Sequence, residues 1–259
     1  MAKAPAPKPA IFLTRPKSRQ EVFFTPPGLS GWANVIEPDD YQGDLKFKIN
    51  HHYTPEQVAL LIDKIEAKVI APLWDRYLEE VEAAGKDPAK MKRPDAEQFV
   101  EDKLQQPAEN ARIQLPFMRY QSKAEFKDRK TGEMVRKTIK FYDAKDRLLD
   151  GPSLKMGMGS ITQIMLVPGI FSNALIKAQP NFQLVGVRVL KLEQFGGGGA
   201  PTMEAADDEE LKTLGDVDMD DLSQYVGTMN SSKGSAKGST KAVTGDDYGG
   251  EDLDEEIPF

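Results

Sequence analysis

The chain has 259 residues, of which 39% are hydrophobic and 29% charged, and its 12 Phe, 7 Tyr and 2 Trp supply too much apolar mass for a wholly disordered polypeptide. The absence of cysteine excludes disulfide frameworks, thiol nucleophiles and cysteine-based metal sites. The longest apolar run, Val58–Ile62, falls far short of the ~20 residues of a membrane span, and MAKAPAPKPA at the start lacks a secretory apolar stretch, so no membrane association is expected. The net charge of −7 is unevenly divided: residues 1–195 carry 30 basic and 25 acidic side chains, or +5, whereas 196–259 carry 4 and 16, or −12. A mildly basic body with an acidic Gly/Ser-rich tail suits a polyanion-binding body, the alternative being a solubilising tail on an unrelated domain.

Residues 1–10 read as a flexible Pro/Ala/Lys arm and 11–195 as one domain. Strand-like segments EVFFT, GWANVI and GDLKFKIN are separated by Pro26-Pro27-Gly28 and by Pro38-Asp39-Asp40. In the third, Leu45, Phe47 and Ile49 alternate with Lys46 and Lys48, which predicts a half-buried strand with lysines on its open face. His51 and His52 are adjacent and so point to opposite faces of a strand, which makes them strand-end residues rather than a metal pair.

Thr54-Pro55-Glu56-Gln57 is a capping box with proline at the first helical position, and it opens a helix over 54–85 that Pro72 is expected to kink or divide and Gly85 to end. Residues 86–111 form a charged insertion holding at most a short helix near Asp95–Leu104. A hairpin spans LPFMRYQSKAEFK and EMVRKTIKFYD, and two more strands cover Ser160–Val167 and Gln183–Glu193. Six or seven strands with one main helix predict a mainly β fold, a small, partly open antiparallel barrel. Gly196–Gly199 marks a hinge, and 196–259 is expected to be a flexible, disordered acidic tail.

The stretch Arg112–Arg147 holds 11 basic and 5 acidic residues interleaved with aromatics. Strand parity puts Arg119, Gln121, Lys123 and Lys127 on one face of the first hairpin strand, and Arg136, Lys140 and Tyr142 on one face of the second. With Lys46 and Lys48 these make a basic sheet, with Tyr142 and Trp32 as stacking aromatics, suited to the phosphates and exposed bases of single-stranded nucleic acid. The competing reading is an ordinary solvated sheet face with Tyr142 half buried. Gly157–Thr162 lacks the third glycine of a dinucleotide fingerprint, and the acidic pairs Asp39–Asp40 and Asp143–Asp146 read as turn and capping residues rather than a nuclease centre. No enzymatic activity, metal or cofactor is expected. Asp254, Glu255, Glu256, Ile257, Pro258 and Phe259 join an acidic run to an apolar triplet, a pattern that fits docking into a partner's pocket.

In the order of these segments the chain resembles the single-stranded DNA-binding proteins of short-tailed bacteriophages. The resemblance rests on the Pro38-Asp39 turn, the basic strand Leu45–Ile49 before a long helix, and FKDRKTGEMVRKTIKFYD. It continues through the Gly-Ser strand ending Leu166-Val167-Pro168 and VRVLKLEQFGGGG ahead of an acidic tail closed by Phe. It implies a five-stranded OB-fold barrel with extra strands and an inserted helix. It also implies roles in DNA replication, recombination, repair and strand annealing in the cytoplasm of an infected bacterial host. A possible dimer and tail contacts with replication proteins (DNA polymerase, helicase/primase) follow in the same way. Residues 254–259 are similar to the terminal peptide of bacterial single-stranded DNA-binding proteins. Ile161 and Gln163 stand where the family alternates lysines, and Gly169 at its first aromatic position, which leaves Phe171 as the stacking candidate there. A tail-mediated adaptor whose body binds protein is the alternative function.

Overall fold

The computed structural model describes residues 11–18, 21–41, 44–127, 131–154 and 156–193. The expectations for the 1–10 arm, the 196–259 tail and the segment Asp254–Phe259 lie outside the described residues. The strands are β1 (Phe12–Thr14), β2 (Phe23–Phe24), β3 (Gly28–Tyr41), β4 (Asp44–His52), β5 (Phe117–Lys123), β6 (Glu125–Lys127), β7 (Met134–Arg136), β8 (Lys140–Tyr142), β9 (Leu148–Leu149), β10 (Ile161–Ser172) and β11 (Gln179–Lys191). The helices are α1 (Pro55–Ile65), α2 (Ala71–Ala83) and α3 (Ala96–Lys103), with a π-helical turn, Glu66–Ile70, joining the first two.

Five strands define the architecture. In the large sheet β5, β4, β3, β10 and β11 lie side by side in that order, and β11 returns against β5. Numbered by sequence this is 3-2-1-4-5, the Greek-key arrangement of an OB-fold barrel. The neighbours of β10 change along its length: β11 runs down one side, while β3, β2 and β1 succeed one another on the other. Strand alternation buries Phe47, Ile49, Met118, Tyr120, Ile164, Leu166, Leu184 and Val187 in the core. Each contributes roughly 1.5–3 kcal/mol by leaving water.

The capping box forms as the sequence indicates. Gln57 N–H donates to Thr54 Oγ1 (3.4 Å), and Thr54 N–H donates to Gln57 Oε1 (2.8 Å). Pro72 does not divide the helix. Proline lacks an N–H and its ring crowds the carbonyl one turn back, and here Ala71 N–H reaches Glu66 O, an i→i−5 bond that widens the turn just ahead of the ring. The helical run from Pro55 to Ala83 therefore stays continuous, with Leu61, Ile65, Val69, Ile70, Leu73, Tyr77 and Val81 buried on one side. Gly85 (φ +74°) ends it: Gly85 N–H donates to Glu82 O and Lys86 N–H to Val81 O, a Schellman closure that needs the left-handed backbone glycine adopts readily.

Several sequence expectations are corrected. Pro38-Asp39 is no break but lies inside the 14-residue β3, where a register shift between Asn34 and Asp39 absorbs the proline. The second hairpin strand is split, so that β7 pairs with β6 whereas β8 leaves to pair with β11, and it does so in parallel, making the sheet mixed rather than antiparallel. The 86–111 segment, read from sequence as a charged insertion, packs its helix against α1 and β11. Asp95 caps α3 through Gln98 N–H (3.1 Å), and Phe99 and Val100 are buried, with the Phe99 ring 5.9 Å from Phe182 of β11. Strand β1, unread in the sequence, is tied to α2 by Phe12 against Tyr77 and by Thr14 Oγ1 donating to Glu80 Oε2 (2.5 Å).

Candidate nucleic-acid interface

The outer wall of β3–β4–β5 is built by the alternation that buries Phe47 and Ile49. Across β4 and β5, Lys46 lies opposite Lys123, Lys48 opposite Gln121, and Asn50 opposite Arg119, so these side chains share one face. Arg119 Nε donates to Asn50 Oδ1 at 3.1 Å. On the β3 side Asn34 lies opposite Lys48 and Asp39 opposite Lys46. Lys48 Nζ contacts Asp39 Oδ2 (2.9 Å), and Lys46 pairs with Asp44 (2.5 Å).

Trp32 joins this wall. Between the pairs Ser30–His51 and Ala33–Ile49, residues Gly31 and Trp32 together face Asn50 alone, a bulge that leaves the indole 45% exposed in the same row as Asn50 and Arg119. Gly31 is required there, because a Cβ would sit 2.4 Å from His52 Nε2.

The remaining candidates divide. Lys127 and Arg136 lie on the β6–β7 hairpin, with Arg136 opposite Glu125, and are exposed. Lys140 and Tyr142 flank the buried Phe141 on β8 and so point outward, Lys140 exposed and Tyr142 half-buried between Arg188 and Leu148. The chain leading into β8 is held to the end of β5, since Lys137 N–H donates to Ala124 O at 2.7 Å, so β8 continues the wall from β5 towards β11. Phe171 is a correction. Only 4% exposed, it sits on β10 between Leu13 of β1 and Gln179 of β11, and cannot stack on a ligand.

Sequence reasoning missed one group on this wall. Arg188 follows Tyr142 in register, its guanidinium lies 4.2 Å from the Phe24 ring centroid, and Nη1 donates to Gln163 Oε1 (3.2 Å) while Nη2 pairs with Asp146. The alternation Val187, Arg188, Val189 carried the signal. Asp143, by contrast, caps its own turn as expected, accepting from Lys145 N–H (3.0 Å) and from Arg147 N–H (2.9 Å) and Nε (2.6 Å). The histidines end β4 in the interior: His51 Nε2 meets Thr162 O at 3.0 Å and His52 Nδ1 meets Leu115 O at 2.8 Å. Burial lowers both pKa values, that of His51 to about 3. Among the described residues no group of three or more His, Cys, Asp or Glu is placed to hold a metal, and no helix is long and apolar enough to cross a membrane.

The fold and this wall together define an OB-fold protein whose outer strand face is basic and carries an exposed aromatic. No family model and no curated protein matches the chain. Among solved structures it is similar to gp2.5, a single-stranded DNA-binding protein encoded by bacteriophage T7, at 19% identity over 68% of this chain and 90% of that one, with a TM-score of 0.46. It is also similar to the single-stranded DNA-binding protein of bacteriophage Enc34. The C-terminally truncated form matches at 11% identity, 70% and 96% coverage and TM-score 0.38, and the complex with single-stranded DNA at 13%, 71% and 98%, and 0.37.

Proposed function

We propose that the chain is a non-enzymatic protein that binds single-stranded DNA without strong sequence preference along the outer wall of β3, β4, β5 and β8. The observation that carries this reading is the cross-strand register of Lys46 with Lys123 and Asn50 with Arg119, beside the exposed Trp32, on the second and third strands of an OB barrel. That face is the one on which OB folds take oligonucleotides. Cations spaced along a groove follow a phosphate backbone, while an exposed indole takes any base on its π-face, so affinity without sequence readout is the expected chemistry. Lys46, Lys48, Arg119, Lys123, Lys127, Arg136 and Lys140 are assigned to phosphates, and Trp32 and Tyr142 to bases.

The finer proposals follow from this one. A coat on single strands serves replication, recombination, repair and annealing of phage DNA in the cytoplasm of an infected bacterium. Asp254–Phe259 would recruit replication proteins, with a homodimer as the working assembly. The deciding experiment is filter binding of poly(dT) over a salt series. Binding that falls with salt at a log–log slope of about −0.7 per phosphate neutralised supports the reading. Failure to bind, or binding indifferent to salt, overturns it in favour of a body that binds protein.

A further inference from the structure

A row of residues leaves the basic wall at β8 and runs towards the long helix. Lys140 lies opposite Gly186 of β11, Gly186 opposite Met165 of β10, and Met165 opposite Phe24 of β2. Opposed residues share a face, and Lys140 is exposed, so the whole row belongs to the outer surface. The adjacent row, Tyr142, Arg188 and Gln163, meets it where the Arg188 guanidinium lies 4.2 Å from the centre of the Phe24 ring. Three strand spacings make the crossing roughly 14 Å long.

Phe24 also lines a pocket of about 560 Å³, together with Phe23, Pro72, Leu73 and Pro168. The volume falls in the range of sites that enclose small ligands. The helix supplies the cations: Lys64 and Lys68 line the pocket one turn apart, where like charges repel, and neither makes an ion pair with a described residue. The acid in the lining, Glu21, is exposed. Ala67 and Lys68 belong to the π-helical turn, a feature frequent at functional sites. Burial, with Lys68 alongside, lowers the Lys64 pKa, a penalty that a bound anion would offset. A nucleotide answers both halves of this lining, since its phosphate meets ammonium groups and its base meets an aromatic ring.

We propose that the pocket takes a nucleotide of the bound single strand, its base against Phe24 and Pro72 and its phosphates at Lys64 and Lys68. The strand then leaves β8, crosses β11, β10 and β2, and ends on the helix, which lengthens its path by about two nucleotides. This inference rests on the reading of the outer wall as the DNA interface.

The test uses the full chain and a fluorescent oligonucleotide of about 16 thymidines, the upper end of what one OB fold covers. Over a salt series, Lys64→Ala with Lys68→Ala is expected to reduce the magnitude of the log–log slope by about 1.4, two contacts at about 0.7 each, and to weaken binding at low salt about tenfold. Lys90→Ala with Lys177→Ala removes the same charge from exposed positions outside the row and the pocket, and is expected to shift the slope by less than half a contact. The chain has no cysteine, so Ala67→Cys carries a single aryl azide at the pocket. Light is expected to join it to the oligonucleotide, and Arg119→Glu with Lys123→Glu on the wall to cut that yield at least fivefold, because one strand occupies both places. If the parent fails to bind, or binds indifferently to salt, the wall reading and this inference fall together. A parent that binds as expected overturns the pocket alone if the Lys64 and Lys68 variant keeps its slope, if the control pair loses as much, or if Ala67→Cys joins no DNA. Cross-linking indifferent to the wall variant would make the pocket a separate site and overturns the continuous path.

Discussion

Lys48 Nζ lies 2.9 Å from Asp39 Oδ2 across the β3–β4 pair, so a strand lysine whose side chain is less exposed than that of Lys46 carries its own counter-ion. A neutralised lysine releases fewer counterions from a bound strand than a lone one. Asp39→Asn is therefore expected to tighten poly(dT) binding several-fold at low salt and to steepen its salt slope by about one contact, an advantage that fades as screening grows. Fluorescence titration at two salt concentrations reads this directly. A weaker complex in Asp39→Asn would mean that the carboxylate orients Lys48 rather than masking it.

Trp32 and Phe171 are both aromatic residues proposed for stacking from sequence, and the structure separates their roles. Trp32→Ala is expected to cost about 1–3 kcal/mol of DNA affinity with little change in folding stability, and Trp32→Phe to restore most of it. Phe171→Ala is expected to cost about 3–5 kcal/mol of stability, because it empties a buried site between β1 and β11. Urea unfolding alongside oligonucleotide titration tells the two apart, and a Trp32→Ala protein that binds normally would remove the indole from the interface.

On β8, Lys140→Ala is expected to reduce the salt slope by about one contact, and Tyr142→Ala to weaken binding while Tyr142→Phe does not. The ring and not the hydroxyl is what a base meets. Unchanged binding in both alanine variants would confine the DNA path to β3, β4 and β5.

Stability should depend on pH through His51. Its folded pKa of about 3 lies below the unfolded value of 6.5, chiefly through burial, so the folded chain keeps it neutral where the unfolded chain takes up a proton. The stabilisation is complete above about pH 6.5 and is lost as pH falls towards 3, at up to about 1.4 kcal/mol per pH unit for this group, with His52 acting in the same sense. Urea midpoints at pH 7, 6 and 5 measure the slope. It should be shallower in His51→Gln than in the parent, and parallel slopes would assign the acid sensitivity elsewhere.

Local pattern made much of this legible. Two-residue periodicity put Lys46 and Lys48 outside and Phe47 and Ile49 inside, and Thr54 with Gln57 marked the helix start. What stayed hidden depends on partners distant in sequence. Phe171 reads as exposed until β1 is known to close the free side of β10. Lys140 reads as part of a hairpin until β11 is seen to draw β8 away from β7. The turn before Pro72 also evaded pattern reading, because the apolar residues recur every four positions (Leu61, Ile65, Val69, Leu73, Tyr77), a spacing close enough to the α-helical period to hide the residue that the wider turn adds.

The seam between β3 and β10 has a consequence for how the molecule comes into being. Ser30 N–H donates to Ser160 O at 2.8 Å, a bond that joins residues 130 positions apart. Contacts of such separation are late and slow to form, whereas the helix from Pro55 and the β3–β4 ladder draw on near neighbours. During synthesis the Gly28–Ser30 end of β3 must remain unpaired until β10 has emerged, and an unpaired strand edge is a template for joining other chains. In pulse-labelled hydrogen exchange during refolding, amides of α1 and α2 should gain protection before Ser30. Simultaneous protection would mean that the barrel closes in one step.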